Sequence, residues 1–441
     1  MKKLIYIIVF IVQFPVFISA QEVYDLKRVL EIGLDRNFDI RIIRNEQQIS
    51  DNNLTLGNAG FLPSLDVNAG YNGSLSNIYQ NLADDSNRSF QNIFNQGANV
   101  GLNLNWMVFD GLRMQTQYER LKEFQQMGEL NTRLTIENLV SQLISEYYNY
   151  VRQNLRLKNL KYAVSLSKER LRIVEVRYNI GSMSRLDLQQ ARVDFNADSS
   201  SLIRQYEVVN TSSIILNQLM ALDDVAQKLP IADTLITVDK WLSESVLWEK
   251  TMETNARLLL SEKNKTLSDL DLKAIQSRDY PYLRFNAGYG YTLGLYDTKN
   301  STLSRQNNLG FNYGFTIGYN LFDGMNRSRE KKNARIVIQN REMEYQRLEL
   351  SLKANLSTIW MAYRNNLDLV DLEEDNLEAA RDNYEIAMER YRLQELSGIE
   401  LREAQNSLLG AEERLLQAQF NTKLCEISLL LISGQVLSYL E

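Results

Sequence analysis

Apolar and polar residues alternate along four short stretches of the chain, and each stretch predicts a β-strand. Leu65, Val67, Ala69 and Tyr71 are interleaved with Asp66, Asn68, Gly70 and Asn72. Val100, Leu102, Leu104, Trp106 and Val108 flank Gly101, Asn103 and Asn105. The pattern returns with Leu283, Phe285, Ala287, Tyr289 and Tyr291, and again from Phe311 through Tyr313, Phe315, Ile317 and Tyr319 to Leu321. A period of two puts the apolar set on one sheet face and a polar set rich in Asn and Gly on the other. The expected strands are 64–74, 98–109, 282–293 and 309–322, with polar loops at 76–96 and 297–308.

Between the strands the period becomes helical. Apolar residues recur at three- and four-residue spacing over 26–60 and 242–275, and Pro63 and Pro281 end those two helices because proline cannot continue the ladder. The second and fourth strands each stop at Phe-Asp-Gly (Phe109-Asp110-Gly111 and Phe322-Asp323-Gly324) and run into segments 112–179 and 325–393. About 68 residues at 1.5 Å each give a helix of roughly 100 Å. Asp110 and Asp323 are placed to cap these helices, and Gly111 and Gly324 ease the turn. Each long helix then breaks, at 177–188 and 390–401, and a return helix follows, 186–226 and 399–440.

The pattern is written twice. Asp110 and Asp323 stand 213 residues apart, and the same offset relates Asp187 to Glu400 and Ala191 to Ala404. The expected organisation is a signal peptide at 1–20, a first repeat at 21–223 with its helical hairpin at 112–226, a linker at 224–241 carrying Pro230, and a second repeat at 242–441 with its hairpin at 325–440. A unit of this length is a duplicated half-molecule rather than a solenoid repeat.

A half-buried sheet in a soluble sandwich alternates in the same way. The N-terminus separates the two readings. Lys2-Lys3, the apolar run Leu4–Ile18 and the small residues Ser19-Ala20 predict an export signal cleaved after Ala20, since the run is short of the ~20 residues a spanning helix needs. An exported chain with Asn/Gly-faced strands of about ten residues and aromatic strand ends points to a transmembrane β-barrel in an outer membrane. Four strands cannot close a barrel, and an open edge in lipid strands backbone polar groups. The chain therefore has to oligomerise, with two copies supplying eight strands or three supplying twelve.

Composition removes several function classes. There is no histidine, which most serine, cysteine and zinc hydrolase sites need as base or ligand, so no catalytic site, metal or cofactor is expected. The formal net charge is −6, or −8 once Lys2 and Lys3 leave with the signal, which argues against nucleic acid. Cys425 is the only cysteine, so neither a disulfide nor a lipid-attachment cysteine after the cleavage site is expected.

The chain resembles the TolC-type outer membrane efflux family over essentially the whole mature sequence. The resemblance rests on the proline-then-strand starts (Phe61-Leu62-Pro63-Ser64-Leu65 and Tyr280-Pro281-Tyr282-Leu283), the two Phe-Asp-Gly junctions and the two Arg-Tyr…Ser…Asp/Glu-Leu turns. It implies an α+β membrane protein, internally duplicated, that assembles as a homotrimer. Its twelve-stranded β-barrel would sit in outer membrane lipid and continue into a long α-helical periplasmic tunnel in a Gram-negative bacterium. It further implies an exit duct of a tripartite efflux or type I secretion system. The partners would be a periplasmic adaptor (membrane fusion) protein and an inner-membrane transporter of RND, ABC or MFS type.

By motif match, the acidic ring of the periplasmic aperture falls on Glu400 and Glu403, and the tip-closing contacts on Asp187 and Tyr391. The adaptor-docking turns fall on Gly181, Ser184, Ser397 and Gly398. Glu400 and Glu403 are three apart and share a helix face, and three copies would make a cation-attracting constriction. Four sites depart from the family pattern. Gln394 stands where the first turn has Gly181, Leu396 where relatives carry a basic residue, and Asn37-Phe38 and Asn255-Ala256 replace Asn-Pro pairs. A membrane-anchored helical stalk without transport activity is the alternative, disfavoured by the continuous polar strand face and the two hairpin tips.

Overall fold

The computed structural model describes residues 23–233, 235–299 and 301–440; the expected signal peptide lies outside them. The chain divides into two compact units, one of 1–44, 132–256 and 349–441, the other of 45–131 and 257–348. Each takes matching pieces of both halves of the sequence.

The second unit holds the sheet. Strands β1 (Ser64–Asn81), β2 (Asn87–Phe109), β3 (Tyr282–Leu295) and β4 (Arg305–Gly318) pair antiparallel in the order β1-β2-β3-β4. Register places Val67 opposite Leu102, Leu102 opposite Tyr289, and Tyr289 opposite Phe311, so the apolar set of every strand shares one face. The other face carries Asn68, Gly101, Gly290 and Gly310 in one row and Asn103, Gly288 and Asn312 in the next. The apolar face is bare within the chain: Val67 is 70% exposed, Tyr313 71% and Ile317 76%. The outer edges of β1 and β4 pair with nothing among the described residues.

The first hairpin runs farther than the expected 64–74 and 98–109. Its ladder continues to Asn81 opposite Asn87 through a bulge at Ser76/Ile78, which leaves a connection of residues 82–86. Ladder hydrogen bonds come from the backbone, so polar side chains at the loop end do not interrupt them. The fourth strand ends at Gly318 rather than 322, because its partner begins at Tyr282, directly after Pro281, which has no N–H to donate.

Helices α1 (Leu26–Arg36) and α2 (Phe38–Asn53) replace the single helix expected over 26–60, and α5 (Glu244–Thr254) and α6 (Ala256–Gln276) replace that over 242–275. Asparagine makes both breaks. Asn37 and Asn255 leave helical geometry at ψ 132 and 117. Their side-chain amides donate to Leu219 O and Ile432 O at 2.9 and 2.8 Å, the last carbonyls of the two return helices. Each asparagine thus satisfies a helix terminus that would otherwise lack a donor.

The long helices α3 (Arg113–Asn179) and α7 (Asn326–Arg392) each have 67 residues. Their returns, α4 (Arg185–Leu219) and α8 (Gly398–Ile432), stop short of the expected 226 and 440. Left-handed residues close both, Ala221 at φ 51 and Gly434 at φ +66, at matching positions. The core of the first unit gathers Leu143, Ile144 and Tyr147 of α3 with Leu30, Ile40, Leu216, Met220 and Ile427, all nearly inaccessible. Burying a side chain of this size contributes roughly 1.5–3 kcal/mol.

Candidate functional site

The hairpin tips lie within the first unit and are built alike. Each outgoing helix ends in paired backbone bonds around a left-handed residue. Gly181 N and Ser182 N donate to Tyr178 O and Arg177 O, both at 2.9 Å. Gln394 N and Glu395 N donate to Tyr391 O and Arg390 O at 3.1 and 2.9 Å. Gly181 adopts φ +81 and Gln394 φ 69, so the second turn puts a side-chain-bearing residue where the first has glycine.

Each return helix then starts with a reciprocal cap. Ser184 Oγ accepts from Asp187 N at 3.1 Å while Asp187 Oδ2 accepts from Ser184 N at 3.2 Å and Ser184 Oγ at 2.7 Å. At the other tip, Ser397 Oγ accepts from Glu400 N at 3.3 Å, and Glu400 Oε2 accepts from Ser397 N at 2.9 Å and Ser397 Oγ at 2.7 Å. Asp187 and Glu400, expected respectively as a closing contact and a member of an acidic ring, are therefore both helix-starting residues. The Ser397 backbone N–H and, behind it, the Ser397 hydroxyl hold the Glu400 carboxyl below its usual range. Glu403 is exposed one turn along.

Tyr391 lies inside the tip, 1% exposed, packed with Tyr384, Met388, Leu188, Leu401 and Leu408. The Arg177 guanidinium stands 5.2 Å from its ring centre and donates to Tyr391 O and Arg392 O at 3.3 and 3.0 Å. Burial pushes the Tyr391 phenol up, with the Arg177 and Arg170 guanidiniums opposing and Asp187 adding to the rise. Its hydroxyl has no hydrogen-bond partner among the described residues. Leu396 packs against this cluster as an apolar residue. Farther along, Arg402 grips Asp198 through two bonds of 2.7 and 2.8 Å, and Arg170 pairs with Asp194, so charge also links neighbouring helices beyond the turns. The tips also present bare apolar side chains: Ile180, Leu186 and Ile399 are each more than 70% exposed.

The strand-to-helix junctions lie in the second unit. Both turn on two consecutive left-handed residues, Gly111-Leu112 (φ 73 and 71) and Gly324-Met325 (φ 69 and 64). Asp110 Oδ1 accepts from Met114 N at 3.1 Å and Asp323 Oδ2 from Arg327 N at 2.9 Å, so each carboxylate serves the first turn of a 67-residue helix. Gly111 is pressed against a backbone, since a Cβ there would sit 2.0 Å from Ser277 O; at Gly324 a Cβ would meet only the Asn326 side chain, at 3.6 Å.

Sequence reasoning missed Asn37 and Asn255 as clamps. Their signal was an asparagine at the start of each half, 218 residues apart. Among the described residues no helix is long and apolar enough to cross a membrane, and no group of metal-ligating side chains gathers.

A sheet bare on its apolar face, with two open edges, and duplicated long helical hairpins define the class of barrel-forming channel proteins. A family profile described as "Outer membrane efflux protein" matches residues 29–222 and 250–435. A search of curated proteins found no match. Among solved structures, the chain is similar to CusC (TM-score 0.75, 18% identity, covering 93% of this chain and 92% of that one). It is also similar to the Campylobacter jejuni CmeC outer membrane channel (TM-score 0.77, 18% identity, 93% and 85% covered). The open state of the Neisseria gonorrhoeae MtrE outer membrane channel matches with TM-score 0.69 and 17% identity, covering 93% and 89%. The chain belongs to the outer membrane efflux protein family, with the α+β, internally duplicated fold of the TolC-type channels. It is an outer membrane efflux channel protein and not an enzyme.

Proposed function

We propose that this protein is the exit duct of a tripartite efflux or type I secretion system. Three copies close a twelve-stranded barrel, and solutes pass from a periplasmic adaptor and an inner-membrane transporter to the outside. The observation that carries this reading is the sheet. One face is apolar and uncovered, the other is Asn and Gly, and both edges are open. In lipid those edges need partners, which further copies of the same chain supply, and the polar face then lines a wet lumen. The repeats 21–223 and 242–441, joined by 224–241, each contribute one hairpin of strands and one of helices.

At the periplasmic end, Glu400 and Glu403 form the acidic ring of the aperture, and Asp187 and Tyr391 belong to the contacts that close it. The turns at Gly181, Ser184, Ser397 and Gly398 seat the adaptor. The exposed Leu186 and Ile399 beside those turns supply the apolar anchors such docking uses. A photo-crosslinking side chain at Leu186 or Ile399, introduced in cells, should yield an adduct containing a periplasmic adaptor. Adducts confined to the channel's own copies would contradict the docking assignment. Tyr391→Phe removes a hydroxyl that has no partner among the described residues. Cells carrying it at normal protein levels should admit more of a large antibiotic; unchanged permeability would remove Tyr391 from the latch.

A further inference from the structure

The foot of the sheet holds a cavity of about 340 Å³ within the second unit, where both Phe-Asp-Gly junctions meet the start of β3. Four arginines line it, Arg113, Arg278, Arg284 and Arg327, against two carboxylates, Asp110 and Asp323. The aspartates are already engaged, each accepting a backbone N–H from the start of a long helix. Those helix starts add positive potential of their own.

Two of the arginines are also engaged. Arg278 pairs with Glu330. Arg327, its side chain 13% exposed, reaches Asp279 at 3.4 Å and Asp323 at 3.7 Å. Arg113 is held loosely: its Nε lies 3.6 Å from Asp110 Oδ2, and its side chain is 64% exposed. Arg284 pairs with no carboxylate among the described residues and stands over the Tyr282 ring at 5.8 Å. Register assigns Arg284 and its partner Met107 to the polar face, out of phase with Phe285 and Trp106. In the first half of the chain the matching position, three residues after the proline, is Asp66 rather than a second arginine.

We propose that this cavity is a binding subsite for an anionic group, a carboxylate or phosphate, carried by a solute moving along the polar face, with Arg284 and Arg113 as the guanidiniums that receive it. A guanidinium fork matches either group through two parallel N–H bonds. The chemistry equally suits a lipid headgroup, but the face Arg284 occupies favours a dissolved solute. The inference rests on the reading that the polar face lines the lumen.

The test uses the full-length protein in planar bilayers of zwitterionic lipid at low salt, with pyrophosphate as the probe. Wild-type current should fall with added pyrophosphate, and Arg284→Gln should weaken the apparent affinity about tenfold, the scale of one exposed charge-assisted contact. Arg284→Lys should keep part of the effect. Equilibrium dialysis of pyrophosphate against the detergent-solubilised protein gives a second readout that does not require conduction. Absence of binding, or equal binding by wild type and Arg284→Gln, overturns the proposal. Phosphatidylglycerol that co-purifies with wild type but not with Arg284→Gln, without any block by pyrophosphate, overturns the solute assignment in favour of a lipid. The lumen reading has its own control: in a Cys425→Ser background, a charged thiol reagent should reach Asn312→Cys and not Phe311→Cys. The reverse pattern would fail that reading without touching the dialysis result.

Discussion

The reciprocal caps at the tips permit a separation of charge from structure. Ser397→Ala removes the hydroxyl that accepts from Glu400 N at 3.3 Å and donates to Glu400 Oε2 at 2.7 Å, while leaving every charge in place. Loss of an N-cap serine costs about 1 kcal/mol, within a range of roughly 0.5–2. If that loss falls on local opening of the first turn, the turn opens about fivefold more often. Hydrogen exchange of peptides covering 394–404, read by mass spectrometry, should show this acceleration, and Ser184→Ala should do the same for 181–191. Glu400→Gln is the contrasting change. Glutamine also serves at the third helical position, so exchange should stay near wild type although the charge is gone. The Glu400 carboxyl lies below its ordinary value, so its contribution is present above the unfolded-state pKa and is lost as pH falls through the folded one. Exchange corrected for its intrinsic pH dependence should therefore rise in wild type under acid, and less so in Glu400→Gln. Unchanged exchange in Ser397→Ala would refute this reasoning, as would an equal rise in Glu400→Gln.

Other consequences follow at neighbouring places. Gly111→Ala drives a Cβ into the Ser277 carbonyl and strains a positive φ, so assembled protein should be largely lost; Gly324→Ala has only the φ strain, on the order of 1 kcal/mol, and should assemble. Immunoblots of outer membrane fractions distinguish them. Glu426, itself buried, accepts from Lys423 Nζ at 2.7 Å, Tyr439 OH at 2.5 Å and Asp239 N at 3.0 Å, all within the first unit. Glu426→Ala leaves Lys423, 4% exposed, without its carboxylate and should cost about 3–5 kcal/mol, seen as a large fall in the thermal midpoint. Lys423→Met with Glu426→Leu should recover most of that loss. Gln394→Gly should slow exchange at the second tip, because glycine takes φ near +69 without penalty.

The legible parts of this molecule are those where side-chain pattern and backbone demand coincide. Strand phase is an example: Val67, Leu102, Tyr289 and Phe311 alternate as read, and pairing puts them in one row. The Phe-Asp-Gly junctions were legible because aspartate and glycine do local work that needs no distant partner. What escaped was set by distance or by backbone alone. The ladder beyond residue 74 keeps apolar residues such as Leu75, Ile78 and Phe90, but the bulge at Ser76/Ile78 and the intervening Ser, Asn and Gln break the alternation that marks a strand. Asn37 and Asn255 act on carbonyls 182 and 177 residues away. At the tips, the spacing of Ser184 to Asp187 and Ser397 to Glu400 is that of a helix-starting box, yet family likeness directed attention to the charges instead. The cavity at the foot of the sheet joins residues from 107 to 327 and has no contiguous motif.

The central claim is that this chain forms a water-filled duct with an acidic aperture. The most direct measurement is single-channel conductance of the purified protein in a planar bilayer, wild type beside Glu400→Gln/Glu403→Gln. These substitutions keep the helix cap and remove the charge. The account predicts a small, cation-selective conductance whose selectivity disappears in the double variant. Trimers seen intact by electron microscopy that pass no current, in either form, would contradict it.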